Sequence, residues 1–357
     1  MLNSTAERED PNIDWVRVED WVRRHLLGAF GDCSRELQEP MRVEQFTGGH
    51  SNLTYLIRFG TCHVVLRKAP PGPLPHAAHD MARECRWLAA LNPVFPLAPR
   101  PYLLCEDPDV AGSAFFIMER RHGIVVRADE PAQLYGDEML RRRVGEAVVD
   151  TLARLHSIDI SDAALSSLGK PTGFVGRQLR GWSERWERFK TFDVPELDAI
   201  ARWLTAHQPV DTTVPGIVHG DFKLDNLMLD AEHLDCVVAV FDWEMSALGD
   251  PLVDLGMLLA YWVPSAPPEH RDALTTVTDR RGWPTREQII ERYANQSSRR
   301  LDALLFFEIF AFFKIAVVLQ QIYYRFVHGE ANDPRFAALS RRVTYLARSA
   351  VRLIEVA

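Results

Sequence analysis

The chain has little cysteine and no paired cysteine motif. Its five cysteines (Cys33, Cys62, Cys85, Cys105, Cys236) stand far apart, and no CxxC occurs. The spacing and the odd number exclude a disulfide framework and a cysteine zinc site, and predict reduced thiols. A basic excess is missing too: Lys+Arg 41 against Asp+Glu 49 leaves a net charge of −8. Nucleic-acid binders normally carry the opposite balance, so that class is disfavoured. The opening MLNSTAEREDPN is polar and acidic, with no basic segment leading into an apolar run. This predicts a cytoplasmic protein without a secretory signal, and residues 1–12 without regular structure. The most apolar stretch, Leu304 to Leu319, is 16 residues long and contains Glu308 and Lys314. It reads as a core helix and not as a membrane span. Internal repeats and low-complexity segments are absent.

What is present fits an ordinary globular chain. At 357 residues it is long enough for about two domains or lobes. Asp14 caps a helix whose apolar positions Trp15, Val18, Trp21, Val22 and Leu26 recur at helical spacing, and Gly28 ends it. The period then changes. Met41–Phe46, Leu53–Phe59 and Thr61–Lys68 read as a three-stranded antiparallel meander, with Gly48-Gly49 in the first turn and Gly60 in the second. The run Pro70 to Pro75 is a rigid loop, a helix follows over about 80–91, and Phe115–Met118 suits another strand. Beyond about residue 121 helices dominate, over roughly 138–157, 175–206, 250–263, 285–298 and 300–328. The fourth opens on a capping box, Thr285-x-x-Gln288. A β-rich insertion spans 216–242. The division is an N-terminal β-rich part, 1–120, and a helical C-terminal part, 121–357.

The chemistry concentrates in His219-Gly220-Asp221-Phe222-Lys223-Leu224-Asp225-Asn226 and, sixteen residues later, Asp242-Trp243-Glu244. Leu227–Leu229 and Cys236–Phe241 are two apolar strands separated by a turn. In an antiparallel hairpin the start of one strand lies beside the end of the other, which predicts Asn226 and Asp242 as neighbours. An amide oxygen and a carboxylate make a hard corner suited to Mg²⁺ and phosphates. Asp221, on the preceding loop, is placed to face that corner without being a ligand. In the helix after the proline loop, Met81, Glu84, Cys85 and Leu88 form one stripe. Glu84 is thus a carboxylate on a buried face, where a lone charge is costly; a helix phase shifted by one residue would put it on the surface instead.

The pattern His-x-Asp-x-Lys-x-x-Asn followed by a strand ending in Asp resembles the catalytic loop and metal-binding Asp of the protein-kinase-like superfamily. The His-Gly-Asp and Asp-Trp-Glu forms resemble the aminoglycoside phosphotransferase and choline kinase branch. Within it the chain is most similar to phosphotransferase domains associated with acyl-CoA dehydrogenases. Phe46–Asn52, Val65–Pro73 and Gly249–Gly256 carry that likeness, which spans roughly residues 38–330. The resemblance implies a bilobal α+β fold: a small antiparallel β-sheet N-lobe of five strands with one helix, and a larger, mostly helical C-lobe. It implies ATP and Mg²⁺ as cofactors, Asp221 as catalytic base, Lys223 beside the transferring phosphoryl group, and Asn226 and Asp242 as metal ligands. His219 and Asp254 would brace the loop. Gly48, Gly49, Ser51 and Asn52 would cradle phosphate. Met118 would line an adenine pocket, with the backbone of Glu119 and Arg121 bonding the base. Protein kinases carry Lys on the third strand, where this chain reads Val65-Leu66-Arg67-Lys68. Arg67 shares a face with Val65 and aligns with that Lys; Lys68 is the alternative. Glu84 would be its carboxylate partner.

Asp254 follows Asp242 by only twelve positions, and no Ala-Pro-Glu motif is present. A protein acceptor needs a longer segment there, so the expected acceptor is a small-molecule hydroxyl. Gly176–Lys190 carries five cations, two acids and two tryptophans, which favours an anionic acceptor such as a hydroxyacyl-CoA over an aminoglycoside. The same stretch also reads as an ordinary amphipathic helix with ion pairs. The rival readings are a catalytically silent nucleotide-binding protein and a kinase of choline, homoserine or aminoglycoside type. No membrane or nucleic-acid partner is expected; association with an acyl-CoA dehydrogenase follows from the resemblance alone.

Overall fold

The computed structural model describes residues 13–26, 36–46, 52–69, 80–127, 129–262, 277–331 and 333–356. The chain divides into two compact units, Met1–Val125 with Leu227–Ser246, and Val126–Asn226 with Ala247–Ala357. A linear division at 120/121 differs from this in assigning the 227–246 hairpin to the later part.

The first unit is built on a five-stranded antiparallel sheet, β1 (Met41–Gln45), β2 (Leu53–Phe59), β3 (Cys62–Lys68), β4 (Pro101–Cys105) and β5 (Phe115–Glu119), in the order β1-β2-β3-β5-β4. Gly60 turns β2 into β3 with φ +54°, a left-handed conformation that glycine adopts without steric cost. Alternation gives the sheet two differently covered faces. On one, Tyr55, Ile57, Phe59, Val64, Leu66, Phe115 and Ile117 form a core with Val18, Val22 and Leu26 of helix α1 (Trp15–Leu26). As expected, Asp14 caps α1, accepting the Arg17 amide at 3.1 Å. On the other face lie Val65, Arg67, Phe116 and Met118, beside helix α2 (Met81–Leu91). Asp80 caps α2 by accepting the Arg83 amide at 2.8 Å. A one-turn helix α3 (Pro108–Ala111) joins β4 to β5. The expected hairpin is present: β7 (Leu227–Leu229) pairs antiparallel with β8 (Val237–Val240), Leu227 opposite Val240. It is tied to the rest of its unit by the Ile124–Leu229 bridge and by the Val240 amide on the Leu97 carbonyl, 2.8 Å.

The second unit is mostly helical. Its elements are α4 (Glu138–His156), α5 (Ala163–Ser166), α6 (Phe174–Phe189), α7 (Pro195–Ala206), α8 (Leu252–Tyr261), α9 (Arg286–Gln296), α10 (Leu304–Val327) and α11 (Leu339–Val356), with a two-stranded sheet of β6 (Gly216–Val218) and β9 (Ala247–Gly249). The single helix expected over 175–206 is two helices. Lys190, at φ −62° and ψ 133°, leaves the helical region, and Pro195 opens the next helix at its first position, where a missing N–H costs nothing. The Thr285–Gln288 capping box is formed in both directions. Helix α10 is long and apolar enough to cross a membrane by composition, yet most of it is buried inside this unit, packed against α6, α7, α8 and α11. The two charges of its buried stretch are answered in place. Glu308 accepts from Arg286 of α9 at 2.8 Å, and Lys314 donates to the Gly220 carbonyl. Four of the cysteines fall on described residues and all four are free thiols.

Candidate active site

In the first unit one guanidinium joins two acids. Arg67 Nε donates to Glu84 Oε2 at 2.9 Å and Arg67 Nη2 to Asp242 Oδ1 at 2.6 Å. Strand alternation aims Arg67 at α2, and the apolar stripe of Met81, Cys85 and Leu88 turns Glu84 inward, where it is 2% exposed. The cation that meets Glu84 is therefore Arg67. Lys68 is buried at the end of the strand. Burial alone would lower the Arg67 pKa; Glu84 and Asp242 outweigh it and hold the guanidinium firmly charged. One cation between two acids leaves negative charge in excess. Burial, with Asp242 and Glu244 added, accordingly pushes the Glu84 carboxyl up to about 7 against the pull of Arg67.

Asp242 itself sits at φ 69° and ψ 61°. Among the described residues it is the one non-glycine with positive φ, a conformation that Asp tolerates better than most side chains. The short turn Trp243–Met245 follows. Its Glu244 accepts from buried Asn52 Nδ2 at 2.9 Å, and its carbonyl accepts from Arg83 Nη1 at 2.6 Å. Asn52 is thereby linked to the Asp-Trp-Glu motif. Gly48, Gly49 and Ser51, the other expected phosphate-loop residues, lie outside the described residues. Met118 is buried on the α2 face of β5. The Glu119 amide donates to the Arg100 carbonyl at 2.8 Å, so that amide is already engaged. Its carboxylate pairs with Arg121 at 2.9 Å, and Arg121 also bonds the Pro96 carbonyl at 2.6 Å.

In the second unit the loop after β6 is tightly held. Asp254, fully buried on α8, accepts the His219 amide at 2.6 Å and the Gly220 amide at 2.7 Å. It also faces His156 Nε2 at 3.3 Å, whose Nδ1 lies 2.7 Å from the Tyr293 hydroxyl. Burial would raise the Asp254 carboxyl; the His156 contact and the Gly220 amide outweigh it and hold it below the usual range. Gly220 is at φ +87°, so a side chain there would be strained. His219 is buried, and its Nδ1 accepts the Asp221 amide at 3.2 Å. The loop thus presents Asp221 with Lys223 Nζ 2.8 Å from its Oδ2. Asn226 Nδ2 donates to the Asp221 carbonyl at 2.8 Å and to Oδ2 at 3.2 Å. Burial works against the Lys223 charge, but Asp221, Tyr261 and Asp225 hold its pKa well above the ordinary value.

Three residues of this cluster had no role on sequence grounds. Tyr261 of α8 stacks under the Lys223 ammonium, 4.7 Å from ring centre to Nζ. Asp225 has a buried Oδ1 with no hydrogen-bond partner among the described residues; burial, despite Lys223, pushes it up to about 6. Lys314 was legible only as a charge in an apolar helix. The α6 tryptophans mostly face inward: Trp186 donates to Asp198 of α7 at 3.0 Å, and Trp182 is covered by Arg185 at 4.5 Å and Lys314 at 5.3 Å.

Each unit offers oxygens of the kind a hard cation takes. In the second unit both side-chain hydrogen bonds of Asn226 use its nitrogen, which leaves an amide oxygen, and Asp225 has a buried oxygen with no donor among the described residues; in the first unit Asp242 offers a carboxylate. Such all-oxygen groups suit Mg²⁺ completed by phosphate and water.

Comparison with known proteins places the chain in a family. Residues 42–289 match the phosphotransferase enzyme family. The chain is 36% identical over 318 residues to mouse acyl-CoA dehydrogenase family member 10, covering 88% of this chain and 29% of that protein. It is 31% identical to human acyl-CoA dehydrogenase family member 11, covering 96% and 43%. The chain thus spans less than half the length of these curated relatives. Among solved structures, a proposed aminoglycoside phosphotransferase from Ralstonia eutropha superposes with a TM-score of 0.77 at 29% identity, over 96% of this chain and 98% of that one. Choline kinase from Cryptosporidium parvum shares the fold, with a TM-score of 0.65 at 13% identity over 96% and 97%. The fold is the bilobal α+β fold of the kinase-like proteins, and the chain belongs to the phosphotransferase enzyme family, as a kinase of small molecules.

Proposed function

We propose that the protein transfers the γ-phosphoryl group of ATP, with Mg²⁺, to a hydroxyl of an anionic small molecule, a hydroxyacyl-CoA. The observation that carries this reading is the clamped loop, on which Asp221, Lys223 and Asn226 converge within 3.2 Å of the Asp221 carboxylate. Asp221 accepts the proton of the acceptor hydroxyl as its oxygen attacks the γ-phosphorus, and the bond to the β-phosphate oxygen breaks to release ADP. Such a base contributes about 10²–10⁴-fold in rate. Lys223 is held charged beside it and spreads the negative charge of the transferring group.

Nucleotide binding falls to the first unit: Gly48, Gly49, Ser51, Asn52 and Arg67 for the phosphates, Glu84 to orient Arg67, and Met118 with the backbone of Glu119 and Arg121 for the base. Asn226 and Asp242 are the proposed Mg²⁺ ligands. When bound, Mg²⁺ neutralises phosphate charge. Arg67 suits phosphate because a guanidinium binds two oxygens at once.

The charge around Asp221 supports an anionic acceptor. Lys223, Lys314 and Arg185 all lie in this part of the second unit, and the Trp182 ring carries two of them. Their positive field disfavours a polycation or a quaternary amine. The names of the relatives, acyl-CoA dehydrogenase family members, point toward acyl-CoA chemistry and toward association with such a dehydrogenase. Free thiols at all four described cysteines agree with a cytoplasmic setting. A second reading, a silent nucleotide binder, rests on the Arg67–Asp242 pair, which engages a proposed metal ligand.

Transfer of labelled γ-phosphate from Mg-ATP to hydroxyacyl-CoAs, aminoglycosides, choline and homoserine tests the reading. We expect transfer to the hydroxyacyl-CoAs, reduced about 10²–10⁴-fold by Asp221→Asn. Nucleotide binding without transfer to any acceptor would favour the silent binder.

A further inference from the structure

Lys314 is a residue that stability does not explain. It lies on the long apolar helix α10, is 3% exposed, and is surrounded by the buried residues of that helix. Among the described residues no carboxylate pairs with its ammonium. Instead it donates to the carbonyl of Gly220 and lies 5.3 Å over the ring of Trp182 from α6. Burial pushes its pKa down to about 8, the mark of a charge held at a cost.

The place of that hydrogen bond is informative. Gly220 stands between His219 and Asp221 at φ +87°. Its amide is fixed by Asp254 at 2.7 Å, and its carbonyl by Lys314. The two groups of this one residue are held by two helices, α8 and α10. Those helices meet at Gly256, where even a Cβ atom would come within 2.5 Å of the Phe307 carbonyl oxygen. The direction in which the chain leaves Gly220 sets where the Asp221 carboxylate points. A hold on the Gly220 amide alone leaves the following peptide free to rotate; a hold on its carbonyl as well removes that freedom.

We propose that Lys314 is a positioning residue for phosphoryl transfer, fixing the Gly220–Asp221 peptide from the carbonyl side so that the Asp221 carboxylate meets the acceptor hydroxyl. It acts through the loop and touches neither acceptor nor nucleotide. The role in catalysis rests on the phosphotransferase reading above.

Two variants test it, Lys314→Met, which keeps length and removes the donor, and Lys314→Gln, which keeps an N–H donor. Three readouts are taken: steady-state kinetics, nucleotide affinity, and amide hydrogen exchange over residues 219–226. Lys314→Met is expected to lower kcat by about 10²-fold, the scale of a misplaced catalytic group. Nucleotide affinity and KM for ATP should stay within about twofold of wild type, and exchange should quicken in 219–226 while the other helices keep their protection. Lys314→Gln should recover part of both kcat and loop protection. A folded Lys314→Met protein with wild-type kcat and wild-type loop exchange would overturn the proposal. So would Lys314→Gln exchanging and turning over no better than Lys314→Met, or, if Lys314→Met does not fold, Lys314→Gln exchanging like wild type but without activity. Should the wild-type protein transfer phosphate to no acceptor, the phosphotransferase reading fails, and loop exchange alone decides whether Lys314 holds the loop.

Discussion

Lys314 and Arg67 are both buried cations, and their surroundings treat them oppositely. Arg67 touches two carboxylates and keeps its charge easily. Lys314 touches a carbonyl and a ring, and its pKa falls from 10.5 to about 8. The sign of the resulting pH dependence follows from proton binding. Between pH 8 and 10.5 the unfolded chain holds this proton and the folded chain does not, so folding stability from this group rises with pH across that window. Below pH 8 the whole cost is present. A shift of that size corresponds to about 3 kcal/mol. In urea denaturation the wild type should therefore gain stability relative to Lys314→Met between pH 7.5 and pH 10, by up to that amount. Equal pH slopes for the two proteins would show that the ammonium is not desolvated. The Arg67–Glu84 pair was legible because the family resemblance named the two partners; period two on the strand and period 3.6 on the helix gave only the face each occupies. Lys314 was visible only as an exception in an apolar run, since no local pattern tells that a residue 94 positions away carries the carbonyl it needs. Asp225 and Tyr261 stayed hidden for the same reason.

Elements with strong local signals match their predicted spans within a few residues. The meander over 41–68, the capped helices α1, α2 and α9, and the 227–240 hairpin each carry their own punctuation. The errors lie where that signal is diluted or shared. Strand β4 opens on a proline at the edge of the sheet and is only half-buried along most of its length, so its alternation is faint. Helix α11 buries Leu339, Val343, Leu346, Ala347 and Ala350, an amphipathic stripe that could have been read beyond residue 330. Strands β6 and β9 are three residues each and pair across a long stretch of chain, which no window can show. The contact of α8 with α10 is the most exacting of the element-level features. Gly256→Val should destabilise the second unit by at least 1–3 kcal/mol, the usual cost of overpacking, because the added atoms meet the Phe307 backbone. It should also lower kcat, since α8 bears Asp254 and α10 bears Lys314. Thermal melting together with phosphate transfer checks this; a stable and fully active variant would mean that the helices separate without cost.

At the scale of the whole chain, two compact units were expected, but not the path by which the chain builds them. It passes from the first to the second after Val125, returns at Leu227, and leaves again after Ser246. Residues 1–125 therefore lack the hairpin that supplies the Ile124–Leu229 bridge, the bond to the Leu97 carbonyl, and Trp243, which packs edge-on against Phe95 at 6.1 Å. Expressed alone, this fragment should show weak cooperativity in urea; joined through a flexible linker to 227–246, it should melt more sharply. Identical transitions for the two fragments would show the hairpin to be dispensable. The same path governs the order of events during synthesis. The last strand of the first unit leaves the ribosome about 120 residues after the first five are complete, which at 5–20 residues per second is a wait of roughly 6–24 s. Through that interval the nascent sheet stands with Leu97 and Ile124 awaiting their partners, a ready client for chaperones and a stage at which codon usage between residues 126 and 226 sets how long the chain is exposed.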